Sequence, residues 1–288
     1  MIFSKPINEI IQERTSKRTY SLEPIEEYKK KKLKDFLSQQ DYQSPFDSLI
    51  NKCRFELISV PEFKPNEQKK LGTYGFIRGA QEFIVGATEK LRYHLENYGY
   101  LMEVIILAAT DMGLGTCWLG GTFNRSLFSM KINCKSNEIV PAISPIGYSS
   151  DRSRFAEKII RKVARANKRY EWNKIFFNGD FTTPLTKQNA GKYDIPLEMV
   201  HLGPSAGNKQ PWRILKELDN DIFHFYIKKS KSKIGLNYSK LTHLDIGIAI
   251  CHFDLTTREL EISGGWQIKE PTLTNTEEFT YIISWIGS

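Results

Sequence analysis

Cysteine is scarce in this chain. Four residues, Cys53, Cys117, Cys134 and Cys251, stand far apart in 288. No Cys-x-x-Cys pair or Cys/His cluster occurs, so neither a disulfide framework nor a metal site is expected. Long apolar runs are also lacking. No stretch reaches the roughly 18 apolar residues that a membrane-spanning helix needs. Met1-Ile2-Phe3-Ser4-Lys5-Pro6 carries no apolar segment followed by a small-residue cleavage site, which argues against a secretory signal. Without span, signal or disulfides, the expected location is cytoplasmic, with no membrane partner. The phosphate-loop signatures GxGxxG and GK[ST] are absent as well, which removes the common nucleotide fingerprints.

What is present is an ordinary globular composition, 40% hydrophobic and 26% charged, in a length suited to about two domains. Lys and Arg (41) exceed Asp and Glu (33), a net charge of +8. A basic balance raises the question of nucleic acid. Here the cations are scattered. The densest run, Lys29-Lys30-Lys31-Lys32, lies in a helical pattern whose apolar face reads Ile25, Tyr28, Leu33, Phe36 and Leu37. A solvated helix face accounts for it. No nucleic-acid-binding module is recognisable, and no nucleic-acid partner is expected.

Along the chain, Ile7, Ile10 and Ile11 repeat at helical spacing, with Thr15-Ser16-Lys17-Arg18 as a polar exit. Pro24 is placed to open a second helix. Residues 55–60 alternate as a strand before Pro61, and 82–86 form a second, buried strand. Leu101, Val104, Ile105, Ala108 and Met112 make one apolar helical stripe, stopped by Gly113-Leu114-Gly115. A basic helix is expected over 159–169. Residues 177–192, with Gly179, Pro184 and Gly191, look like a connection. The second half repeats the first in reduced form. Its strand-like segments are 214–216 and 223–227. A helical stripe of Leu241, Leu244, Ile248, Cys251 and Leu255 leads to Gly264-Gly265-Trp266, much as the earlier helix leads to Cys117-Trp118-Leu119-Gly120-Gly121. Strands interleaved with helices in this way suggest an α+β or three-layer fold.

Three segments carry chemistry. In Arg14-Thr15-Ser16-Lys17-Arg18, two guanidinium groups and a hydroxyl can converge on one phosphate. Taken alone, the segment is weak as a motif and reads more readily as an ordinary basic helix end. Residues 203–213, Gly-Pro-Ser-Ala-Gly-Asn-Lys-Gln-Pro-Trp-Arg, are too polar and too rich in turn formers for core. The amides of Asn208 and Gln210 suit a flavin ring edge, which offers both acceptors and a donor. The alternative is a tight loop before a strand. In Gly113-Leu114-Gly115-Thr116-Cys117-Trp118-Leu119-Gly120-Gly121, glycines let backbone N–H groups approach a planar ligand. A tryptophan such as Trp118 is more often core than a cofactor stack.

Together these segments resemble the signature elements of the FMN-dependent nitroreductase family. Arg14, Ser16 and Arg18, with Thr15 and Lys17 between them, match its phosphate-binding pattern. Pro204-Ser205-Ala206, Asn208, Gln210, Pro211 and Trp212 resemble its flavin-edge loop. Gly113-Leu114-Gly115, Trp118, Leu119, Gly120 and Gly121 resemble the helix end and glycine loop beside the isoalloxazine. Pro145-Ile146-Gly147-Tyr148 is similar to the strand that follows. Lys168-Arg169 lies where the family often places another phosphate-binding cation. One departure stands out. In the family the Pro-Ser and Gln-Pro-Trp loop precedes the helix, whereas residues 43–55 here hold only Asn51-Lys52-Cys53-Arg54 in its place, and the second half has no Arg-x-Ser-x-Arg.

The resemblance implies a nitroreductase-like three-layer α/β/α fold of the α+β class. It is identified with the subgroup in which one chain resembles a fused pseudo-dimer, and is expected to be monomeric for that reason. The related halves are placed at 1–176 and 177–288. The first would supply the phosphate grip and glycine loop, the second the amide loop, for one FMN per chain. The implied activity passes hydride from NAD(P)H through the flavin to a small acceptor such as a nitroaromatic or quinone. The alternative is a flavin-binding or flavin-handling protein without that turnover. No catalytic acid or base is assigned, and no metal is expected.

Overall fold

The computed structural model describes residues 3–39, 43–46, 53–60, 68–73, 76–150, 168–229, 236–272 and 276–288. They belong to two compact units, Met1–Val163 and Ala164–Ser288.

In the first unit, helices α1 (Ile7–Glu13) and α2 (Glu27–Gln39) precede strands β1 (Arg54–Ser59) and β2 (Glu82–Glu89). Then come α3 (His94–Asp111), β3 (Gly115–Thr116), α4 (Arg125–Lys131), β4 (Glu138–Ile139) and β5 (Ile143–Gly147). The antiparallel sheet runs β1-β2-β5-β3, with β4 on β2. α3 is buried continuously from Leu95 to Ala109 rather than along the single stripe expected. It stops as expected. Gly113 takes φ +78°. Its N–H reaches Thr110 O at 2.9 Å while Leu114 N–H reaches Ala109 O at 2.9 Å, the paired bonds of a left-handed helix stop. α2 departs from expectation. It begins at Glu27, three residues beyond Pro24, and Lys30 N–H closes its first turn on Glu26 O at 3.0 Å. Ile25, Leu33 and Leu37 are buried, but Tyr28 is 66% exposed and lies off the apolar face.

The second unit opens with β6 (Phe176–Asn178) and β7 (Asp180–Pro184), then a helical turn at Lys187–Ala190 and helix α5 (Asp194–Leu202). β8 (Trp212–Lys216), β9 (Ile222–Lys228), α6 (Leu236–Glu259), β10 (Gly264–Gln267) and β11 (Phe279–Gly287) complete it. Its sheet runs β10-β11-β9-β8-β6-β7, parallel only between β6 and β8. Residues 177–192 are therefore not a mere connection. Gly179, at φ +77°, turns a hairpin that extends this sheet, so the glycine and proline that read as linker punctuation serve a tight turn and a strand end. The boundary expected at 176/177 falls inside β6. Of the helix expected at 159–169, residues up to 167 lie outside the described set, and 168–170 are not helical. β11, which the sequence patterning does not single out, sits between β9 and β10.

In the first unit β1 and β2 precede the long helix and β3, β4 and β5 follow it, with β1-β2-β5-β3 side by side; in the second, β6 to β9 precede the long helix and β10 and β11 follow, with β8-β9-β11-β10 side by side. The fold is α+β. Among the described residues no helix is long and apolar enough to cross a membrane, and no group of His, Cys, Asp and Glu is placed to hold a metal ion.

Candidate functional site

The first unit brings two of the three chemical segments together. α1 ends at Glu13, and the chain then runs extended past β3: Ser16 bridges Thr116, and Lys17 N–H donates to Thr116 O at 2.8 Å. On from there, Arg78 N–H donates to Arg18 O at 2.9 Å and Thr19 bridges Arg78. In extended backbone alternate residues share a side, which groups Arg14, Ser16 and Arg18 and sets Thr15 and Lys17 opposite. The sequence suggested a helix exit; the segment runs instead as extended backbone along Thr116. The Lys17 stem lies over Gly115, where an added Cβ would stand 2.7 Å from Lys17 Cγ. Glycine is what permits that approach.

Arg14 is buried. Its Nε makes no hydrogen bond among the described residues, the carboxylate oxygen Glu103 Oε1 standing 3.7 Å away. Glu103 is fully buried on α3 and also accepts from Trp118 Nε1 at 2.7 Å. One acid therefore ties the cationic segment to the glycine loop. It was not singled out in the sequence, although a carboxylate inside an apolar helix is itself a signal. Trp118 is half-buried, and Leu119 packs into the core while its backbone pairs with Ile143. Gly120 O takes a bond from Arg125 Nη2 at 3.1 Å. No hydrogen bond among the described residues uses the N–H of Gly120 or Gly121. A buried guanidinium donor without a hydrogen bond, a serine on the same side and two glycine amides form a donor set suited to an anionic, planar group such as FMN.

The third segment lies in the second unit and is organised differently. Ser205 Oγ accepts from Gln210 N–H at 2.8 Å, and Asn208 N–H reaches Ser205 O at 2.9 Å. Gly207, Asn208 and Gln210 take φ of 57°, 55° and 44°. Gln210 is 1% exposed, and its Oε1 accepts from Tyr170 N–H at 3.0 Å. Asn208 Oδ1 accepts from Arg169 Nη1 at 2.5 Å, and its Nδ2 donates to Lys168 O at 2.8 Å. Arg169 Nη2 donates to Leu202 O at 2.7 Å. Arg169 thus lies beside the amide loop, bonded to it. Below the loop Asp245, buried on α6, accepts from Ala206 N–H through both oxygens at 3.0 and 3.1 Å. Burial pushes its carboxyl up to about 8. Arg213 is buried against Gln210 O (2.9 Å) and Trp212 O (2.6 Å), and burial lowers it to about 10. Pro204 precedes Ser205, half-buried like it.

The second unit repeats the tryptophan contact of the first. Trp266, following α6, donates from Nε1 to buried Asp254 at 2.7 Å, as Trp118 does to Glu103.

A family model described as "Putative TM nitroreductase" matches residues 6–257. A crystal structure of a "putative nitroreductase" from Thermotoga maritima aligns over 98% of this chain and 94% of its own, with TM-score 0.57 and 22% identity, a likeness of fold. A nitroreductase family protein from Clostridium novyi NT covers 52% of this chain and 88% of its own, at TM-score 0.42 and 21% identity. The NADPH:FMN oxidoreductase of Vibrio harveyi, complexed with NAD+, covers 50% of this chain and 69% of its own, at TM-score 0.40 and 18% identity. No curated protein matches the chain. With a family model spanning residues 6–257, the chain belongs to that nitroreductase family and is a nitroreductase-like oxidoreductase.

Proposed function

We propose that the chain binds one FMN and uses it to move electrons from NADH or NADPH to a small oxidised acceptor such as a nitroaromatic or a quinone. The observation that carries this is the union of Arg14–Arg18 with the Gly115–Thr116 loop in one unit, Ser16 on Thr116 and Lys17 N–H on Thr116 O. Bound flavin supplies the two-electron chemistry; the protein supplies orientation and charge. Arg14 and Arg18 give bidentate, charge-assisted bonds to the phosphate, and Ser16 adds a hydroxyl donor. Thr15 and Lys17 hold the segment on the loop, and Trp118 and Leu119 fix the backbone from which Gly120 and Gly121 present N–H groups to the ring. In the second unit, Pro204, Ser205, Ala206 and Asn208 form the polar loop for the ring edge, held by Gln210.

The test is direct. The purified protein should show the absorption spectrum of bound flavin and oxidise NADH or NADPH when an acceptor is added. Arg14→Ala or Arg18→Ala should weaken FMN by about 1.5–3 kcal/mol, the range for hydrogen bonds to charged groups. Riboflavin, without the phosphate, should respond far less. Equal losses for the two ligands would remove the phosphate role from these arginines. A protein that binds FMN but oxidises neither nucleotide would be a flavin-handling protein without turnover.

A further inference from the structure

The 204–210 loop adopts a conformation that most sequences avoid. Two residues other than glycine, Asn208 and Gln210, have left-handed backbone. Such geometry persists only where the surroundings over-determine it. The surroundings here are residues 168–170, roughly 40 positions earlier. Asn208 Oδ1 takes Arg169 Nη1 at 2.5 Å while Asn208 Nδ2 reaches Lys168 O at 2.8 Å. Gln210 Oε1 takes Tyr170 N–H at 3.0 Å, and Gln210 Nε2 reaches Asn208 O at 3.2 Å. The second arm of the Arg169 fork holds Leu202 O, the last residue of α5, at 2.7 Å. Arg213 completes the frame, its guanidinium lying 5.8 Å from the Tyr170 ring centre while it binds Gln210 O.

We propose that Arg169 and Gln210 are positioning residues: they staple residues 168–170 to the 204–210 loop and fix the Asn208 amide in one orientation, so that Arg169 does not serve as a phosphate contact. The planar guanidinium suits this task. It addresses a side-chain carbonyl and a main-chain carbonyl at once, with the fixed angle between its arms setting their separation. Lysine offers one charged point and no such fork. Gln210, almost fully buried, contributes the acceptor for Tyr170 N–H.

The inference rests on the flavin reading for one of its two tests and is independent of it for the other. In full-length protein, FMN and riboflavin affinities are measured for Arg169→Ala and Arg169→Lys beside Arg14→Ala. A staple predicts that both ligands weaken by the same factor, about 5- to 30-fold, with lysine no better than alanine, while Arg14→Ala changes the FMN-to-riboflavin ratio. A loss confined to FMN, or rescue by lysine, overturns the proposal. Should the Arg169 variants not fold, or should the wild-type chain bind no flavin and so defeat the flavin reading, amide hydrogen exchange decides. Tyr170 N–H should be protected in the flavin-free wild-type chain and exchange at least 10-fold faster in Gln210→Ala. An unprotected Tyr170 amide in the wild-type chain, or protection unchanged by Gln210→Ala, overturns the staple whatever the flavin result.

Discussion

Asp245 shows what burial does to one residue. The Ala206 N–H favours its anion, but burial outweighs that bond and lifts the carboxyl to about 8. In the unfolded chain an aspartate titrates near 3.9. Between roughly pH 4 and pH 8 the folded protein therefore holds a proton that the unfolded chain has released. Stability falls as pH rises through that window and is level below it, where both states are protonated. Asp245→Asn keeps an acceptor for Ala206 N–H and removes the titration. Denaturant midpoints at pH 5 and pH 8 should differ in the wild-type chain and draw together in the variant. An unchanged slope would place the dependence on another group. Glu103 in the first unit is another buried acid, its two oxygens facing Arg14 and Trp118. At both positions a carboxylate on the long helix reaches the loop that carries the candidate chemistry.

At the scale of elements, the packing of β1, β2 and α3 depends on one missing side chain. A Cβ at Gly86 would lie 2.4 Å from Phe55 Cε1 and 2.7 Å from Tyr98 Cε2. The two rings stand 5.0 Å apart, centre to centre, and Gly86 N–H donates to Tyr98 Oη at 3.1 Å. Tyr98 in turn donates to Ala142 O at 2.5 Å, so its ring cannot withdraw without breaking that bond. Gly86→Ala should cost about 1–3 kcal/mol, the range for overpacking a core. A denaturation midpoint equal to that of the wild type would show that the rings yield freely. The local patterns of these elements were plain in the sequence: alternation marked β1, and the glycine after Met112 marked the end of α3. That α3 is enclosed on all sides was not, since periodicity describes one segment and not how many neighbours surround it. Residues 177–192 read as a connection for the opposite reason. Turn formers are as frequent in a short edge hairpin as in a connection, and only pairing with β8 distinguishes them.

For the whole molecule, of the two compact units only the first carries Arg14-Thr15-Ser16-Lys17-Arg18 and only the second carries the 204–210 loop. Titration should saturate at one FMN per chain. Saturation at two would mean that each unit binds independently. A ligand that binds only folded protein stabilises it by RT ln(1 + [L]/Kd), about 2.7 kcal/mol at a hundredfold excess over Kd. FMN should raise the melting temperature accordingly, riboflavin by less at equal concentration.

The sequence by itself determined the donors and their local spacing. Arg14, Ser16 and Arg18 are alternate residues whatever the fold, the glycines after α3 stop a helix by their own backbone freedom, and the amide loop is too polar to be core. These are properties of short segments, set by covalent geometry and side-chain chemistry. Tertiary structure decided which of those groups are taken. It placed the cationic segment against Thr116, about a hundred residues away, and it bound Arg169 and Gln210 to partners some 40 residues distant. It also inserted β11 between β9 and β10. A hydrogen bond between segments distant in sequence depends on where the sheets bring their ends, and no local pattern records that. Arg169 could therefore be recognised from sequence as a cation near a functional loop, while its partners emerge only when residues 168–170 lie across Asn208 and Gln210.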